Sequence, residues 1–598
     1  MILTLDFETE AIDNRPKYPP KPVGVSLKID DAKSKYFAFG HPTGNNCEEE
    51  FIAGVTRSLI EQADIIVMHN AAFDASVLAE KWNLPLDWSK LRCTMVQAFL
   101  ADPYGELSLK PLADKLLDMP PVERDAVREW LIKNGVVAAN NKKWGACICY
   151  APGDVVGPYA EGDTDRTYLL YQYFTNTMSL NLLNAFKREM DLMPIVWEME
   201  KRGVNVDQLL LREDTRLYEQ HLVDLDAGIC KILGTQVCVD QDAALADAIE
   251  AAGLSKGFAA TPTGRRSVAK ESLLGAIADP QLLGMLLERN SVATCIRTFM
   301  LPWLEQAEQY GRLYVRWNQV RNYSDTGART GRLSSSPNLQ NIPTEWENLL
   351  AQFAQLKYTP TVAMPQIRKY IIPDEGHVFI SADYAGQELR LLAHFSGGRL
   401  LSALQRDPKS DLHMIAANIA GITRKVAKTL AFAILYGAGS ARIAEQLHIT
   451  VEQATAVKRK YLAALPEIEK FQAIVQRRGA TRSYVTTLGG REYYSESPRV
   501  IKGRFCTFDY KLVNYLIQGS AADQTKQAML NYTLNRAPGK PTGQLVLTVH
   551  DQLVAQVPTV HVEKETVRLQ HAMNSSFQDV LEYQVISDMS SGLNFSEV

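Results

Sequence analysis

Short apolar segments of strand length alternate with helical segments over the first third of the chain, and this alternation limits the folds that the chain can adopt. Met1–Asp6, Gly24–Ile29 and Ala63–His69 have the length and composition of buried strands. Thr164–Leu183 has the periodicity of a helix, and from Glu189 onward the pattern becomes long and helical. Strands and helices at this spacing favour a mixed sheet flanked by helices, so we predict an α/β fold for the first region.

The composition is that of an ordinary globular chain. Hydrophobic residues make up 46% and charged residues 22% of the 598 residues, which argues against global disorder. No apolar run approaches the ~18 residues of a membrane span, and the N-terminal MILTLDFETE lacks the basic start of a signal peptide. The eight cysteines are scattered, without the spacing of a four-ligand zinc site. We therefore expect reduced thiols and a cytoplasmic location.

Lysine and arginine are concentrated in one part of an otherwise acidic chain. The total net charge is −4, but Gly421–Tyr510 holds 15 basic and 7 acidic residues, a net +8, which leaves −12 for the remainder. A locally basic segment on an acidic protein indicates a polyanion site on one face. A set of solvated helix faces gives the same count, so both interpretations are open at this point.

Acidic residues of the first region stand where the predicted elements bring them together. Asp6 and Glu8 alternate along one strand and therefore share a face. Asp74 follows the third predicted strand, and Tyr159 and Asp163 are four residues apart on one face of a helix. Four carboxylates in one place form an oxygen-rich site for two hard divalent cations, which activate water against a phosphodiester. Tyr159 is placed to orient that water.

A second set of carboxylates lies in the later part of the chain. Asp383 ends an apolar strand, beside the carbonyl of Tyr384, and Glu388 follows five residues after Asp383. Asp551 lies at the predicted reversal between two apolar strands, so its side chain projects at a hairpin tip. Two such aspartates are suited to hold two metal ions.

Two cations and two aromatic rings form a stripe on one predicted helix. The stripe consists of Arg424, Lys428, Phe432 and Tyr436. Steps of four residues drift only about 120° around the helix over the whole stripe, and Thr423 is placed to cap the helix N-terminus. The cations suit a triphosphate and the rings suit a base or sugar. With the two aspartates, the stripe supplies the components of nucleotidyl transfer.

The order of acidic motifs in the first region resembles that of the proofreading 3′–5′ exonucleases of the DnaQ-like superfamily, in the form attached to family A DNA polymerases. The motifs are D-x-E, N-x-x-x-D and Y-x-x-x-D. The resemblance implies that four carboxylates hold metal ions and that Tyr159 positions the attacking water. The implied ligands are Asp6, Glu8, Asp74 and Asp163.

Several segments of the remaining chain resemble family A DNA polymerases, the group of bacterial DNA polymerase I and related phage replicases. Thr330–Pro343 is nearly a signature of that family, and Ser483–Tyr494 and Asn514–Asp523 add to the match. The segments around Asp383, around the stripe and around Asp551 resemble the family's motifs A, B and C, in the family's order. The resemblance implies a right-hand polymerase domain with an α+β palm and helical fingers and thumb.

The same resemblance implies the domain boundaries. We expect a proofreading exonuclease domain at residues 1–188 and a polymerase domain at residues 189–598. Within the polymerase domain we expect the thumb at about 207–308, the palm at about 309–391 and 513–598, and the fingers at about 392–512. Because the first exonuclease motif starts at Asp6, we expect no 5′-nuclease domain ahead of it.

Carried over by position, the family's roles fall on particular residues. The resemblance implies that the carboxylates of Asp383 and Asp551 and the carbonyl of Tyr384 hold metal ions, and that Lys428 is the general acid toward the departing pyrophosphate. The implied nucleotide pocket consists of Arg424, Lys428, His413, Glu388, Phe432 and Tyr436. The implied contacts with primer–template DNA are Arg332, Asn514, Gln518 and His550.

We therefore expect a template-directed DNA polymerase of phage type with 3′–5′ proofreading. The expected cofactor is Mg²⁺, two ions per active site, with Mn²⁺ able to replace it. The expected partners are primer–template DNA and deoxynucleoside triphosphates, and replisome partners are left open. We expect a monomer that does not contact membranes and that works in the cytoplasm, which is the host's if a phage encodes the chain.

Two alternatives belong to other functional classes. The first is an exonuclease or repair protein with a degenerate polymerase, which Gln552 favours because family members usually carry Glu after the aspartate of motif C. Intact Asp383, Lys428 and Asp551 argue against it. The second is a non-catalytic DNA-binding or replication accessory protein, and the six motif carboxylates argue against it because pure binding favours neutral or basic residues.

Overall fold

The computed structural model of the chain describes residues 1–261, 264–321, 327–343, 346–481, 483–501, 503–534 and 543–598. The first region folds around a sheet with strand order β3-β2-β1-β4-β5, in which β1 runs antiparallel to β2 and parallel to β4. The predicted mixed sheet flanked by helices is therefore confirmed. The elements of this region are β1 (Ile2–Thr9), β2 (Pro22–Ile29), β3 (Lys35–Ala38), α1 (Glu49–Gln62), β4 (Ile65–Met68), α2 (Ala71–Ser76), β5 (Leu91–Cys93), α3 (Thr94–Ala101), α4 (Leu109–Leu117), α5 (Val122–Lys133) and α6 (Gly153–Thr177).

The first part of the later region is mainly helical. It begins with α7, and the break before this helix corrects the predicted continuous helix Thr164–Leu183: α6 ends at Thr177, and the Ser179 hydroxyl caps α7 by accepting a hydrogen bond from the Leu182 amide at 3.2 Å. A capping serine starts a new helix because it satisfies an amide that the helix leaves open. The elements are α7 (Leu180–Arg202), β6 (Asn205–Val206), α8 (Gln208–Leu233), α9 (Asp242–Ala251), α10 (Lys270–Ala276), α11 (Pro280–Cys295), α12 (Leu301–Tyr310), β7 (Arg316–Asn318), β8 (Ser334–Ser336), α13 (Glu347–Leu356) and β9 (Ile371–Ile372).

A second sheet organises the rest of the chain. Its strand order is β15-β16-β10-β17, and every neighbouring pair is antiparallel. The central strand β10 ends at Tyr384, so residues near its end are flanked by β16 and β17. The elements are β10 (His377–Tyr384), α14 (Gln387–Ser396), α15 (Gly398–Arg406), α16 (Leu412–Ala420), α17 (Arg424–Leu435), α18 (Ser440–Leu447), α19 (Val451–Ala464), α20 (Pro466–Ala480), β11 (Val485–Thr486), β12 (Glu492–Tyr493), β13 (Arg499–Ile501), β14 (Arg504–Cys506), α21 (Lys511–Leu534), β15 (Gln544–Val549), β16 (Gln552–Pro558), α22 (Val562–Asn574) and β17 (Ser587–Gly592).

Helix α7 belongs to the hydrophobic cores of both regions. Phe186 and Met190 pack in the core of the first region. Ile195 and Met199, further along the same helix, pack in the core of the later region. The predicted boundary between residues 188 and 189 falls inside this helix, and the boundary itself stays a prediction.

A network of buried charges joins α7 to the later region. The Glu189 carboxylate is 1% exposed and accepts hydrogen bonds from Lys526 at 2.6 Å, from Gln319 at 2.8 Å and from Arg491. Arg491 also donates to Asp523 at 2.7 Å. Burial alone would raise the pKa of Glu189, but the adjacent Lys526 and Arg491 lower it to about 2. Glu189 is therefore ionised and paired at neutral pH.

Among the residues that the structure describes, no helix combines the length and the apolar character that a membrane crossing requires.

Candidate active sites

Three of the predicted carboxylates of the first region form one cluster. Asp6 and Glu8 lie on the central strand β1, and Asp163 lies on α6, which packs against that strand. One carboxylate oxygen from each of the three lies within 4.8 Å of the others. Leu3 and Leu5, which point to the opposite face of β1, are fully buried and fix the side on which the acids stand.

Asp74 lies beside this cluster but outside the group of three. It belongs to α2 and is 1% exposed. Its Oδ1 accepts a hydrogen bond of 3.0 Å from the amide of Phe7, the residue between Asp6 and Glu8. Burial and then the charge of Asp6 raise the pKa of Asp74 well above its ordinary value. Three of the four predicted carboxylates therefore form the cluster, and Asp74 is adjacent to it on the side of Asp6.

Burial and mutual repulsion of the carboxylates in this cluster favour the binding of a cation. Burial, reinforced by Asp163, raises the pKa of Asp6 to about 7, and burial with Asp6 and Asp163 raises the pKa of Glu8 well above its ordinary value. Buried carboxylates repel one another and lose their hydration, so a divalent cation between them relieves both costs. Oxygen ligands at this spacing suit a hard cation such as Mg²⁺, and the residues present fit the metal ions that the sequence motifs implied.

Lys110 completes the site and was not predicted from the sequence. It lies in the first turn of α4, and its Nζ contacts both carboxylate oxygens of Asp163, with Oδ1 at 2.5 Å. The same Nζ stands 3.8 Å from the ring centroid of Tyr159, the predicted water-positioning residue. Burial and then Asp163 raise the pKa of Tyr159, so its hydroxyl stays protonated. No spacing rule links Lys110 to the acidic motifs, which explains why sequence reasoning missed it.

The second predicted set of carboxylates lies at the end of β10, the central strand of the second sheet. Asp383 is near the end of β10, and Asp551 lies in the turn between β15 and β16, as the sequence predicted. The Tyr384 amide donates to the Asp551 carbonyl at 3.4 Å, which holds the two chain segments together. Although Asp383 reaches solvent, partial burial and then the charges of Asp551 and Asp588 raise its pKa to about 7.

Asp588 is a further carboxylate that sequence reasoning missed. It lies on β17 directly opposite Asp383, while Gln552 of β16 lies opposite Asp383 on the other side. Residues directly opposite in adjacent strands share a face of the sheet. The Gln552 amide donates to the Ser381 hydroxyl at 2.8 Å, so a protein contact already holds this side chain.

The predicted stripe lies on α17, and its residues differ in their surroundings. The Thr423 hydroxyl caps the helix by accepting from the Val426 amide at 3.4 Å. The Arg424 Nε donates to Asp411 at 2.6 Å, and Lys428 is exposed. The rings of the two aromatic members are stacked with centroids 6.4 Å apart, although Tyr436 stands one residue beyond the last residue of the helix.

Hydrogen bonds join the end of α17 to α14 and α21. Gln518 of α21 donates to the Tyr436 hydroxyl at 2.9 Å, and that hydroxyl donates to Glu388 at 3.4 Å. The Arg332 guanidinium forms an ion pair of 2.5 Å with Glu388. Four residues predicted to bind nucleotide or DNA therefore form one connected group across the cleft.

Two polar atoms of the predicted pocket are buried without a partner among the described residues. They are Nδ1 of His413 and Oδ1 of Asn514. The His413 ring lies 6.1 Å from the Phe432 ring, and burial lowers the pKa of His413. Burial and then Arg332 also lower the pKa of His550, so both histidines are neutral at pH 7. A buried polar atom left unpaired costs free energy, which a bound ligand is suited to recover.

The fold therefore carries two separate acidic centres, one on each of the two larger sheets. The chain matches the model of DNA polymerase family A over residues 209–597 and the model of a 3′-5′ exonuclease over residues 2–179. The chain belongs to DNA polymerase family A and carries an exonuclease domain at its N-terminal side. Domains of these families depend in general on metal ions.

Named relatives agree with this assignment. The chain is 29% identical to "DNA polymerase I" of Chloroflexus aurantiacus over 96% of this chain and 59% of that protein. It is 26% identical to "DNA-directed DNA polymerase" of Pseudomonas phage M6 over 92% of this chain and 86% of that protein. It is 30% identical to thermostable DNA polymerase I of Thermus filiformis over 70% of this chain and 50% of that protein. The chain thus spans little more than half the length of the cellular relatives named here.

A solved structure shares the fold. It is titled as the POL domain of Pol1 from M. smegmatis in complex with DNA primer-template and dNTP. The alignment covers 100% of this chain and 96% of that chain with a TM-score of 0.77 at 20% sequence identity. The predicted right-hand architecture, joined to an α/β exonuclease domain, is therefore confirmed.

Proposed function

We propose that the chain is a template-directed DNA polymerase that adds deoxynucleotides to a primer 3′ end and removes 3′-terminal nucleotides at a second site. The observation that carries this proposal is the connected group of Arg332, Glu388, Tyr436 and Gln518, which joins the end of α17 to α14 and α21 near Asp551. The phage M6 relative supports a phage-type, replicative enzyme.

In the proposed polymerase, each residue of the cleft acts on a different part of the substrate. Two Mg²⁺ ions bound by Asp383, Asp551 and the Tyr384 carbonyl would supply Lewis acidity at the reacting phosphate. Lys428 protonates the departing pyrophosphate, because its ammonium is exposed on the face that carries Arg424. The proposed phosphate contacts are Arg424 and His413, and the proposed walls of the sugar pocket are Glu388 and Phe432.

The proposed DNA contacts follow from the same cleft. Tyr436 stacks at the nascent base pair, since it lies at the end of α17 nearest the palm. Arg332, Asn514, Gln518 and His550 contact the primer–template in the minor groove. Hydrogen-bond acceptors there are common to all base pairs, so such contacts test the shape of a pair and not its sequence.

In the proposed exonuclease, water attacks the phosphorus of the terminal phosphodiester. Asp6, Glu8, Asp74 and Asp163 hold the Mg²⁺ ions, and the neutral Tyr159 hydroxyl orients the water. We place this activity in residues 1–188 and polymerisation in residues 189–598, with the palm, fingers and thumb as the sequence implied. The proposed protein is a cytoplasmic monomer.

The test uses primer extension with Mg²⁺ and four deoxynucleotides, beside a control without nucleotides. Wild type should extend the primer and, without nucleotides, shorten it. Asp6→Ala with Glu8→Ala should abolish shortening and leave extension, whereas Asp551→Asn should abolish extension and leave shortening. Asp165→Asn is the matched control, since Asp165 lies two residues from Asp163 but pairs with Lys28 at 2.8 Å, outside the cluster. Wild type without extension would refute the polymerase and favour a degenerate one.

A further inference from the structure

The exonuclease site contains a largely buried cation that contacts two residues of the site. Lys110 has a side chain only 11% exposed, and its Nζ contacts Asp163 and the Tyr159 ring. Arg166, which also approaches Asp163 at 3.5 Å, is engaged elsewhere by Glu123 and by the Pro120 carbonyl at 3.0 Å. Arg166 therefore has structural partners outside the cluster, whereas the direct contacts of the Lys110 ammonium found among the described residues go to Asp163 and Tyr159.

The segment before Lys110 is held from two sides. The Glu106 carboxylate accepts hydrogen bonds of 2.9 Å from the amides of Leu107 and Ser108, immediately before α4. Arg321 of the later region donates to the Pro103 carbonyl at 3.0 Å. These hydrogen bonds hold the backbone at the start of α4, so the Lys110 side chain extends into the cluster from a fixed position. Preorganised cations of this kind stabilise charge that develops in a transition state, because they need not reorganise during the reaction.

The charge balance of hydrolysis calls for one more positive charge than the metal ions supply. The four carboxylates carry four negative charges, which two divalent cations neutralise, and the phosphodiester adds one more. During hydrolysis the water oxygen forms a bond to phosphorus and the bond from phosphorus to the O3′ atom breaks. One proton of the water ends on O3′, which leaves as a 3′-hydroxyl, and the product is a nucleoside monophosphate. The negative charge on the phosphoryl oxygens rises in between.

We propose that Lys110 is a further catalytic residue of the exonuclease, whose ammonium contacts a phosphoryl oxygen of the scissile phosphodiester and neutralises the charge that develops there. This inference rests on the proposed exonuclease function. In the protein without DNA, Asp163 holds the ammonium in place. With metal ions and DNA bound, the ammonium transfers part of this contact from Asp163 to the phosphate.

The test separates a catalytic role from one that only positions Asp163. Lys110→Met keeps the unbranched side chain, one atom shorter, and removes its charge, and Lys110→Arg retains the charge. Lys115→Met is the matched control, because Lys115 is an exposed residue of the same helix. The rate of cleavage of single-stranded DNA is measured in a single turnover at saturating Mg²⁺. Mn²⁺ binding is measured by electron paramagnetic resonance in the Asp551→Asn background, which removes a ligand of the other centre.

The proposal expects opposite effects on rate and metal affinity. Lys110→Met should slow cleavage by about 100-fold to 1,000-fold, the loss seen when one preorganised group for a transition-state charge is removed. Its Mn²⁺ affinity should be equal or higher, because a cation that competes for Asp163 is gone. Lys110→Arg should stay within about tenfold of wild type, and Lys115→Met should equal it. Primer extension by each Lys110 or Lys115 variant with Asp551 intact shows that the variant is folded.

Two results would overturn the proposal. Full cleavage by Lys110→Met at saturating Mg²⁺ would show that the charge is not needed. Slower cleavage together with weaker Mn²⁺ binding would show that Lys110 only positions Asp163. A wild-type chain that leaves single-stranded DNA intact refutes the proposed exonuclease function itself, which distinguishes that failure from the failure of this inference.

Discussion

Replacing Glu189 with glutamine is the most direct perturbation of the buried charge network that joins α7 to the rest of the later region. The carboxylate is buried, and it accepts hydrogen bonds from Lys526, Gln319 and Arg491. Glutamine keeps the length of the side chain but removes the charge that holds two buried cations. We therefore expect Glu189→Gln to destabilise the protein, since a buried charge that loses its partner pays the full cost of desolvation.

The size of the effect follows from the pKa of Glu189. A pKa of about 2 in place of the ordinary 4.5 corresponds to roughly 3 kcal/mol in favour of the ionised form, at about 1.4 kcal/mol for each tenfold change. Removing one partner of a buried ion pair costs about 3–5 kcal/mol in other proteins, which agrees. With an unfolding entropy of about 2.1 cal/mol/K per residue, 3 kcal/mol over a cooperative unit of about 400 residues lowers Tm by roughly 4 °C.

The assay is thermal unfolding followed by circular dichroism at pH 7. Glu198→Gln is the control, because Glu198 is an exposed residue of the same helix. The pKa of Glu189 is lowered in the folded protein, so the contribution of its charge is complete above pH 4.5 and is lost as the pH falls through about 2. The difference between wild type and variant should therefore shrink over that range. A Tm within 1 °C of wild type at pH 7 would refute the reasoning.

Three further predictions concern the polymerase site. Phe432→Tyr should raise the incorporation of dideoxynucleotides relative to deoxynucleotides, because a tyrosine hydroxyl is able to replace the missing 3′-hydroxyl; an unchanged ratio in a competition assay would contradict the placement of the stripe. Asp551→Asn should lower the rate of single-turnover insertion by several orders of magnitude, whereas Gln552→Glu should change that rate by about tenfold or less. Substitution of residues that contact metal ligands, but not the metal, typically changes activity by roughly 10–100-fold. An inactive wild type that Gln552→Glu rescues would favour a degenerate polymerase. The pKa of Asp383 is raised to about 7, so Mn²⁺ affinity at the palm should fall by up to tenfold per pH unit below about pH 7, and equal affinity at pH 6 and pH 8 would disprove this.

In the first sheet, the sequence pattern predicted the central strands near the acidic residues, but it did not predict the two edge strands. The apolar runs around Leu3 and Ile66 are long enough to be recognised, and both lie in the middle of the first sheet. β3 and β5 contain only four and three residues, too few to show an alternation. The prediction of one continuous helix across Met178 was wrong. The helical periodicity of the sequence continues through the break, and the capping hydrogen bond of Ser179 starts a new helix there.

The motif residues were predictable because each motif is local, and the missed residues are those that only the folded chain brings near. Asp588 reaches Asp383 through the pairing of β17 with β10, which lie about 200 residues apart in the chain. Lys110 reaches Asp163 from a different helix. Partners that join distant segments leave no spacing signal in a single sequence, so their contacts had to come from the structure.

Helix α7 has a consequence for how such enzymes exchange parts during evolution. Phe186 and Met190 pack with the exonuclease core, while Ile195 and Met199 pack with the polymerase core. A recombination event between codons 188 and 189 would join two half-helices selected against different neighbours, and both cores would receive misfitting side chains. An exchange of domains between relatives should therefore preserve both cores only where the whole of α7 is inherited together with the neighbours that it packs against.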